Sequence, residues 1–214
     1  MTFRPLDINT ILDASPLMAV VVIEDAHSAP DMARALVAGG VTSIEVTLRT
    51  PAALEAIRRI AGEVPEALVG AGTVLTPEDL RASAEAGARF AISPGATRAL
   101  LEAGRDGPIP YLPAIATASE IMEGLASGYA AFKAFPASVI GGPAALKAFS
   151  GPFPDVRFCP TGGITASTAA DYLALPNVAC VGGSWLTPRD LLRAGDWAGV
   201  ERLARQAMVD LRIP

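Results

Sequence analysis

Eight short apolar runs, at residues 19–23, 43–47, 67–71, 89–92, 110–114, 130–134, 156–160 and 178–181, recur along this chain. Between them lie alanine- and leucine-rich stretches with helical spacing, among them 31–38, 51–60, 77–86 and 166–173, several opened by Pro or Thr and closed by Gly. The runs begin about 20 to 26 residues apart, the length of one βα unit. Such alternation calls for a parallel sheet covered by helices. An open, doubly wound sheet meets the same demand, but eight evenly spaced units with no G-x-G-x-x-G after the first run favour closure. The expected fold is an α/β (β/α)8 TIM barrel formed as a single domain over residues 1–214. An extra N-terminal helix at 7–14 is expected to plug the barrel bottom, and 197–211 to form the closing helix.

Composition narrows the function. Apolar residues make up 51% of the chain, enough to fill one barrel core. A net charge of -5 and a pI near 4.9 argue against a nucleic-acid partner, which would call for a basic stripe. No stretch approaches the about 20 apolar residues needed to cross a bilayer, and the first residues, Met-Thr-Phe-Arg-Pro-Leu-Asp, lack a signal-peptide core. A cytoplasmic protein without a membrane partner is expected. Cys159 and Cys180 each lie in an apolar run and read as free buried thiols. His27 is the only histidine and sits beside a predicted helix start, as a surface residue. Metal-ligand spacing is missing, so no metal and no cofactor are expected, and acid–base work falls to carboxylates and lysine.

The chain has fifteen arginines and two lysines, and Lys133 lies within the apolar run Tyr129-Ala-Ala-Phe-Lys-Ala-Phe-Pro136. An amine desolvated among Phe132, Phe135 and alanines can shed its proton and attack a carbonyl, which a guanidinium cannot. The plainer reading is a strand-end lysine that snorkels to water or pairs with a carboxylate. Its neighbours decide between the two. In Ser43-Ile-Glu-Val-Thr-Leu-Arg49 the period of two puts Ile44, Val46 and Leu48 on one face and Glu45, Thr47 and Arg49 on the other. With the apolar face against the helices, Glu45 and Arg49 point into the barrel mouth, either as a structural ion pair with each other or as site residues facing Lys133.

The third run ends Gly70-Ala-Gly-Thr73, whose glycines permit close backbone approach and whose Thr73 faces inward; the fourth ends Ile92-Ser-Pro94-Gly95, a turn or a pocket wall. Pro160-Thr161-Gly162-Gly163 follows the seventh run and Gly182-Gly183-Ser184 the eighth. Glycine-freed amides after those two strands are where such barrels hold phosphate. An amine, a carboxylate, an arginine and a phosphate cradle imply a substrate carrying a carbonyl, a carboxylate and a phosphate.

These residues resemble those of the class I 2-keto-3-deoxy-6-phosphogluconate (KDPG) and 4-hydroxy-2-oxoglutarate (KHG) aldolases. The matching stretches are Ile44-Glu-Val-Thr-Leu-Arg-Thr50, Val69-Gly-Ala-Gly-Thr-Val-Leu75, Phe90-Ala-Ile-Ser-Pro-Gly95, Phe132-Lys-Ala-Phe-Pro-Ala137, Arg157-Phe-Cys-Pro-Thr-Gly-Gly-Ile164 and Gly182-Gly-Ser-Trp-Leu186. The resemblance implies that Lys133 forms a Schiff base with the keto carbon and that Glu45 moves protons. It further implies that Arg49 and Thr73 hold the carboxylate, that Pro94 and Phe135 wall the pocket, that Thr161 meets the sugar-acid hydroxyls, and that Gly162, Gly163, Gly183 and Ser184 hold the phosphate. The implied reaction yields pyruvate and D-glyceraldehyde 3-phosphate, a step of the Entner–Doudoroff pathway, and the implied assembly is a homotrimer. The sequence departs from the family pattern at Ala114, where relatives usually place glycine, and in Ala137-Ser-Val-Ile-Gly-Gly142, which lacks their acidic or amide residue.

Other readings remain open. Cleavage of 4-hydroxy-2-oxoglutarate needs no phosphate loops, and the galactonate epimer, 2-dehydro-3-deoxy-6-phosphogalactonate, fits Thr161 less well. A phosphosugar isomerase, a thiamin-phosphate-type synthase or a non-catalytic phosphate-binding TIM barrel would keep the glycine loops but has no use for Lys133.

Overall fold

All strand pairing in the computed structural model, which describes residues 7–211, is parallel. Residues 1–6 and 212–214, part of the expected domain, lie outside it, and with them most of the segment read as lacking a signal peptide. The strands are β1 (Leu17–Val21), β2 (Ser43–Thr47), β3 (Leu68–Gly72), β4 (Ala91–Ile92), β5 (Tyr111–Leu112), β6 (Ala114–Ile115), β7 (Ala131–Ala134), β8 (Arg157–Pro160) and β9 (Val181–Gly183). A six-stranded sheet has the order β5-β4-β3-β2-β1-β9, and a three-stranded sheet the order β6-β7-β8. Two isolated bridges, Phe158 to Val178 and Thr161 to Gly182, link β8 to the segment carrying β9.

The helices are α1 (Ile8–Asp13), α2 (Ala29–Ala38), α3 (Ala53–Glu63), α4 (Pro77–Glu85), α5 (Arg98–Arg105), α6 (Ala118–Ala126), α7 (Gly142–Phe149), α8 (Ala169–Leu173), α9 (Arg189–Ala194) and α10 (Trp197–Asp210). Their starts follow local chemistry. Thr76 and Asp79 cap α4 reciprocally, with Pro77 in the first turn, and Thr117 and Glu120 do the same for α6.

The strand alternation sorts side chains into two cores. Ile44 and Val46 join an outer cluster with Leu36 of α2 and Ile57 and Ile60 of α3, between sheet and helices. An inner cluster contains Met18, Phe90, Ile92, Leu112, Ala131, Cys159 and Cys180, with Ile11 and Leu12 of α1 packed against it. Both thiols are fully buried, their sulfurs 3.4 Å apart.

Where the ends of elements differ from expectation, partner strands and side-chain hydrogen bonds decide. β1 begins at Leu17 because its pairing with β9 starts there, and it stops at Val21 because the Val21 and Ile23 carbonyls accept the hydroxyls of Thr47 and Thr50. β9 begins at Val181 rather than at residue 178, since Val178 makes only the single bridge to Phe158. The fifth run is split at Pro113, which has no N–H to continue the ladder toward β4, while its carbonyl accepts the Lys133 N–H at 2.9 Å. The turn before α8 is held by the Thr168 hydroxyl, which accepts the Thr165 N–H at 3.0 Å, so that helix starts at Ala169.

Candidate active site

Lys133 lies in the middle of β7, in register with Ala114 on one side and Cys159 on the other. Glu45 lies in the middle of β2, paired with Val20 and Gly70. Their side chains meet: Nζ of Lys133 donates to Oε1 of Glu45 at 2.8 Å and to Oε2 at 3.1 Å, with side-chain exposures of 5% and 1%. A buried charge pair of this kind is weak evidence of added stability, because desolvating both groups offsets their attraction. It does place a proton acceptor against a buried amine. Gly72 makes the approach possible, since a Cβ there would overlap the Glu45 carboxylate.

The Phe135 ring centroid lies 5.3 Å from the Lys133 ammonium, within cation–π range. Phe132 is not its companion. One residue away along the strand, it points to the outer cluster and packs against Gly124 of α6. The desolvation expected from two phenylalanines therefore comes from Phe135 and the surrounding strands.

Arg49 stands on the turn after β2, exposed, with Nε donating to the Thr73 hydroxyl at 3.3 Å. The ion pair between Glu45 and Arg49, one of the two readings of strand two, is not formed; Glu45 is taken by Lys133, and the Arg49 guanidinium is exposed and bonded to Thr73. Thr73 has φ of 58°, the single non-glycine residue with positive φ among the described residues. For a β-branched residue that conformation costs energy, and such outliers concentrate at binding sites.

Thr161 is buried, and its hydroxyl has no hydrogen-bond partner among the described residues. It lies against Gly182, whose Cα approaches so closely that a side chain would collide with the hydroxyl. The bridge between Thr161 and Gly182 sets the two glycine segments side by side. Gly162 (φ 99°) and Gly163 (φ 73°) both occupy left-handed backbone that only glycine adopts freely. Gly183 is buried at the end of β9 with the Trp185 ring where a side chain would be, and Ser184 next to it is exposed.

Pro94 follows the buried Ser93, whose hydroxyl lies 2.5 Å from the Tyr111 hydroxyl; burial pushes that phenol well above its ordinary range. Pro94 lines a shallow hollow of about 390 Å³ with Leu75, Thr97 and Leu100. The structure thus brings Lys133, Glu45 and Phe135 together, pairs Arg49 with Thr73, and sets Thr161, Gly162 and Gly163 beside Gly183 and Ser184. Pro94 follows the end of β4, where the Ile92 carbonyl accepts the N–H of Val74, next to Thr73, at 3.1 Å. A cavity of about 400 Å³ between the β1 loop and α9 is lined by Glu24, Asp25, Arg193 and Trp197 and contains none of the expected site residues.

Among the described residues no group of three or more His, Cys, Asp or Glu side chains is placed to hold a metal, and no helix is long and apolar enough to cross a membrane. His27 is exposed and bonded to Asp25. Sequence reasoning undervalued Gly72, whose signal was its place in Gly-Ala-Gly-Thr opposite an inward glutamate, and missed any role for Ser138 beside Gly163.

The chain matches the aldolase family described as KDPG and KHG aldolase over residues 8–203. It is 55% identical over 200 residues to the KHG/KDPG aldolase of Escherichia coli (strain K12), covering 94% of each chain. It is 52% identical to the 2-dehydro-3-deoxy-phosphogluconate aldolase of Pseudomonas aeruginosa, covering 94% of this chain and 91% of that one. Among solved structures it is similar to the KDPG aldolase of Legionella pneumophila with pyruvate captured as a covalent carbinolamine intermediate, with a TM-score of 0.92, 47% identity and coverage of 97% and 100%.

Proposed function

The chain belongs to the KDPG and KHG aldolase family, and from that premise we propose that it cleaves KDPG to pyruvate and D-glyceraldehyde 3-phosphate through a Schiff base on Lys133. It is a carbon–carbon lyase, a class I aldolase. The observation that carries the residue assignment is the buried contact between Lys133 and Glu45, 2.8 Å from amine to carboxylate. Glu45 takes a proton from the ammonium, and the freed amine attacks the C2 carbonyl to give a carbinolamine. Glu45 returns the proton to the departing hydroxyl, water leaves, and an iminium remains. Removal of the C4 hydroxyl proton then breaks the C3–C4 bond. The bonding electrons move into the iminium, releasing glyceraldehyde 3-phosphate and leaving an enamine. Protonation at C3 and addition of water release pyruvate and restore the amine. The iminium is the electron sink, so the cycle as written uses no cofactor.

The other residues divide the substrate between them. Arg49, with Thr73 bonded to it, holds the carboxylate, which suits the exposed guanidinium at the mouth. Phe135 and Pro94 are walls, and the unpartnered Thr161 hydroxyl takes a substrate hydroxyl. Gly162, Gly163, Gly183 and Ser184 hold the phosphate. Supporting this placement are the left-handed glycines and the bridge that joins their two loops. The same amine and acid would cleave 4-hydroxy-2-oxoglutarate to pyruvate and glyoxylate, with the phosphate loops unused. A preference for the galactonate epimer has no observation in its favour, and a non-catalytic phosphate-binding barrel leaves the buried amine unexplained.

The two sheets act as one closed (β/α)8 barrel, with α1 capping its bottom and the whole chain forming one domain; the bridges between β8 and β9 and the continuity of β5 and β6 through Pro113 favour this. A cytoplasmic homotrimer completes the proposal. Incubation with pyruvate followed by borohydride reduction and peptide mass analysis tests the mechanism. One irreversible pyruvate adduct on Lys133 is expected, and an adduct on Lys147, or none, overturns it.

A further inference from the structure

The loop after β7 is fastened to the loop after β8. The Ala137 N–H donates to the Thr161 carbonyl at 2.8 Å, and the Ser138 N–H to the Gly162 carbonyl at 3.1 Å, extending the pairing of β7 and β8 beyond both strand ends. The Phe135 ring and Pro136 Cα lie 3.2 Å from where a side chain on Gly162 would begin. Most closely placed of all, the Ser138 hydroxyl occupies the position that a Gly163 side chain would take. Ser138 is exposed, and among the described residues its hydroxyl has no protein hydrogen-bond partner, so it is held by its backbone with its donor open to a ligand.

Charge points the same way. From Phe135 through Pro154, from Val156 through Ala170 and from Tyr172 through Arg189 the chain has no Asp or Glu, so the three loops that converge on Gly163 bring no carboxylate of their own. A phosphate dianion seated on the glycine amides would meet no like charge from these loops. A hydroxyl on the α-carbon of the central glycine is within reach of it.

From this geometry we infer that the Ser138 hydroxyl donates to the substrate phosphate and is a specificity-determining residue for phosphorylated over unphosphorylated substrates. The inference rests on the proposed aldolase reading and adds a side-chain donor to a cradle otherwise built from glycine amides and Ser184. Hydrogen bonds to charged groups are worth more than neutral ones, and this one is partly exposed, so its loss corresponds to about a tenfold change in binding.

Steady-state kinetics on KDPG and on 4-hydroxy-2-oxoglutarate separate this role from a structural one. Ser138→Ala is expected to raise KM for KDPG about tenfold with kcat unchanged, and to leave both constants for 4-hydroxy-2-oxoglutarate as they were. Ser138→Thr keeps the hydroxyl and restores KM. An unchanged KM for KDPG in Ser138→Ala, or a parallel loss of kcat/KM with 4-hydroxy-2-oxoglutarate, overturns the inference. Calorimetric binding of glycerol 3-phosphate reads the same contact without turnover: about tenfold weaker binding by Ser138→Ala supports it and equal binding refutes it. If the unsubstituted protein binds glycerol 3-phosphate but does not cleave KDPG, the aldolase reading fails by itself, and the calorimetric comparison still decides the role of Ser138.

Discussion

Replacing Gly72 with alanine tests whether the placement of Glu45 governs turnover. Gly72 has ordinary strand backbone, so alanine meets no conformational penalty; the effect is steric alone. The added Cβ would stand 2.5 Å from Cγ and 2.7 Å from Cδ of Glu45, where carbon atoms need about 3.5 to 4.0 Å. Pairing to Val20 and Gly70 fixes the Glu45 backbone, so the carboxylate must swing away by on the order of 1 Å. Its contacts to Lys133, now 2.8 and 3.1 Å, then open past hydrogen-bonding distance. Overpacking of this kind costs about 1 to 3 kcal/mol, which lowers the Tm of a chain this long by roughly 2 to 4 °C per kcal/mol. The kinetic penalty is larger, because a misplacement of about 1 Å at a reacting group costs about a hundredfold in kcat.

Pyruvate release followed continuously with lactate dehydrogenase gives kcat, and calorimetric melting gives Tm. Gly70→Ala is the control. Its Cβ would overlap the Phe90 ring in the inner cluster, so it should lower Tm comparably while leaving kcat at 25 °C near that of the unsubstituted enzyme. The reasoning is refuted if Gly72→Ala turns over at the unsubstituted rate, or if Gly70→Ala loses as much activity.

Lys133→Arg keeps a cation beside Glu45 but removes the nucleophile, so cleavage should fall by at least about 10⁴-fold with far-UV circular dichroism preserved; undiminished turnover would falsify the imine assignment. Asp13 of α1 accepts from Arg157 at 2.5 Å, and that hydrogen bond holds its carboxyl below the ordinary value of 3.8, against a smaller opposing effect of burial. A carboxyl depressed in the folded state contributes stability above its unfolded value and loses it as pH falls through the folded one. Both partners are more than a third exposed, so Asp13→Asn should cost under about 1 kcal/mol at pH 7 in urea unfolding. The difference should shrink below about pH 4, and one that stays constant down to about pH 2 rules the pair out. Cys159 and Cys180, each 1% exposed, should resist iodoacetamide in the native protein and react in urea; rapid native alkylation would contradict their burial.

Local patterns made much of this molecule legible. The apolar face of residues 43–47 and the polar start of α4 follow from the period of two and from Thr76 and Asp79, which interact over a few residues. Lys133 was visible because a lysine inside an apolar run conflicts with its surroundings, and glycine pairs after two strands announced an amide-rich rim. Less legible were the ends of β1 and β9, since apolar residues continue past both and only the partner strand says where pairing begins.

The sequence by itself determined the alternation of elements, which residues face inward, and which side chains could do chemistry, because each depends on neighbours a turn or a pleat away. Tertiary structure decided the partners. Glu45 could have bonded Arg49, four residues along, yet it bonds Lys133, 88 residues away. The placement of β2 and β7 in separate sheets whose side chains meet, and the space left by Gly72, put the two in contact. The left-handed Thr73, the unpartnered Thr161 hydroxyl and Ser138 seated on Gly163 arose the same way. Each depends on how separate loops are fastened to one another, and no local period or propensity encodes that.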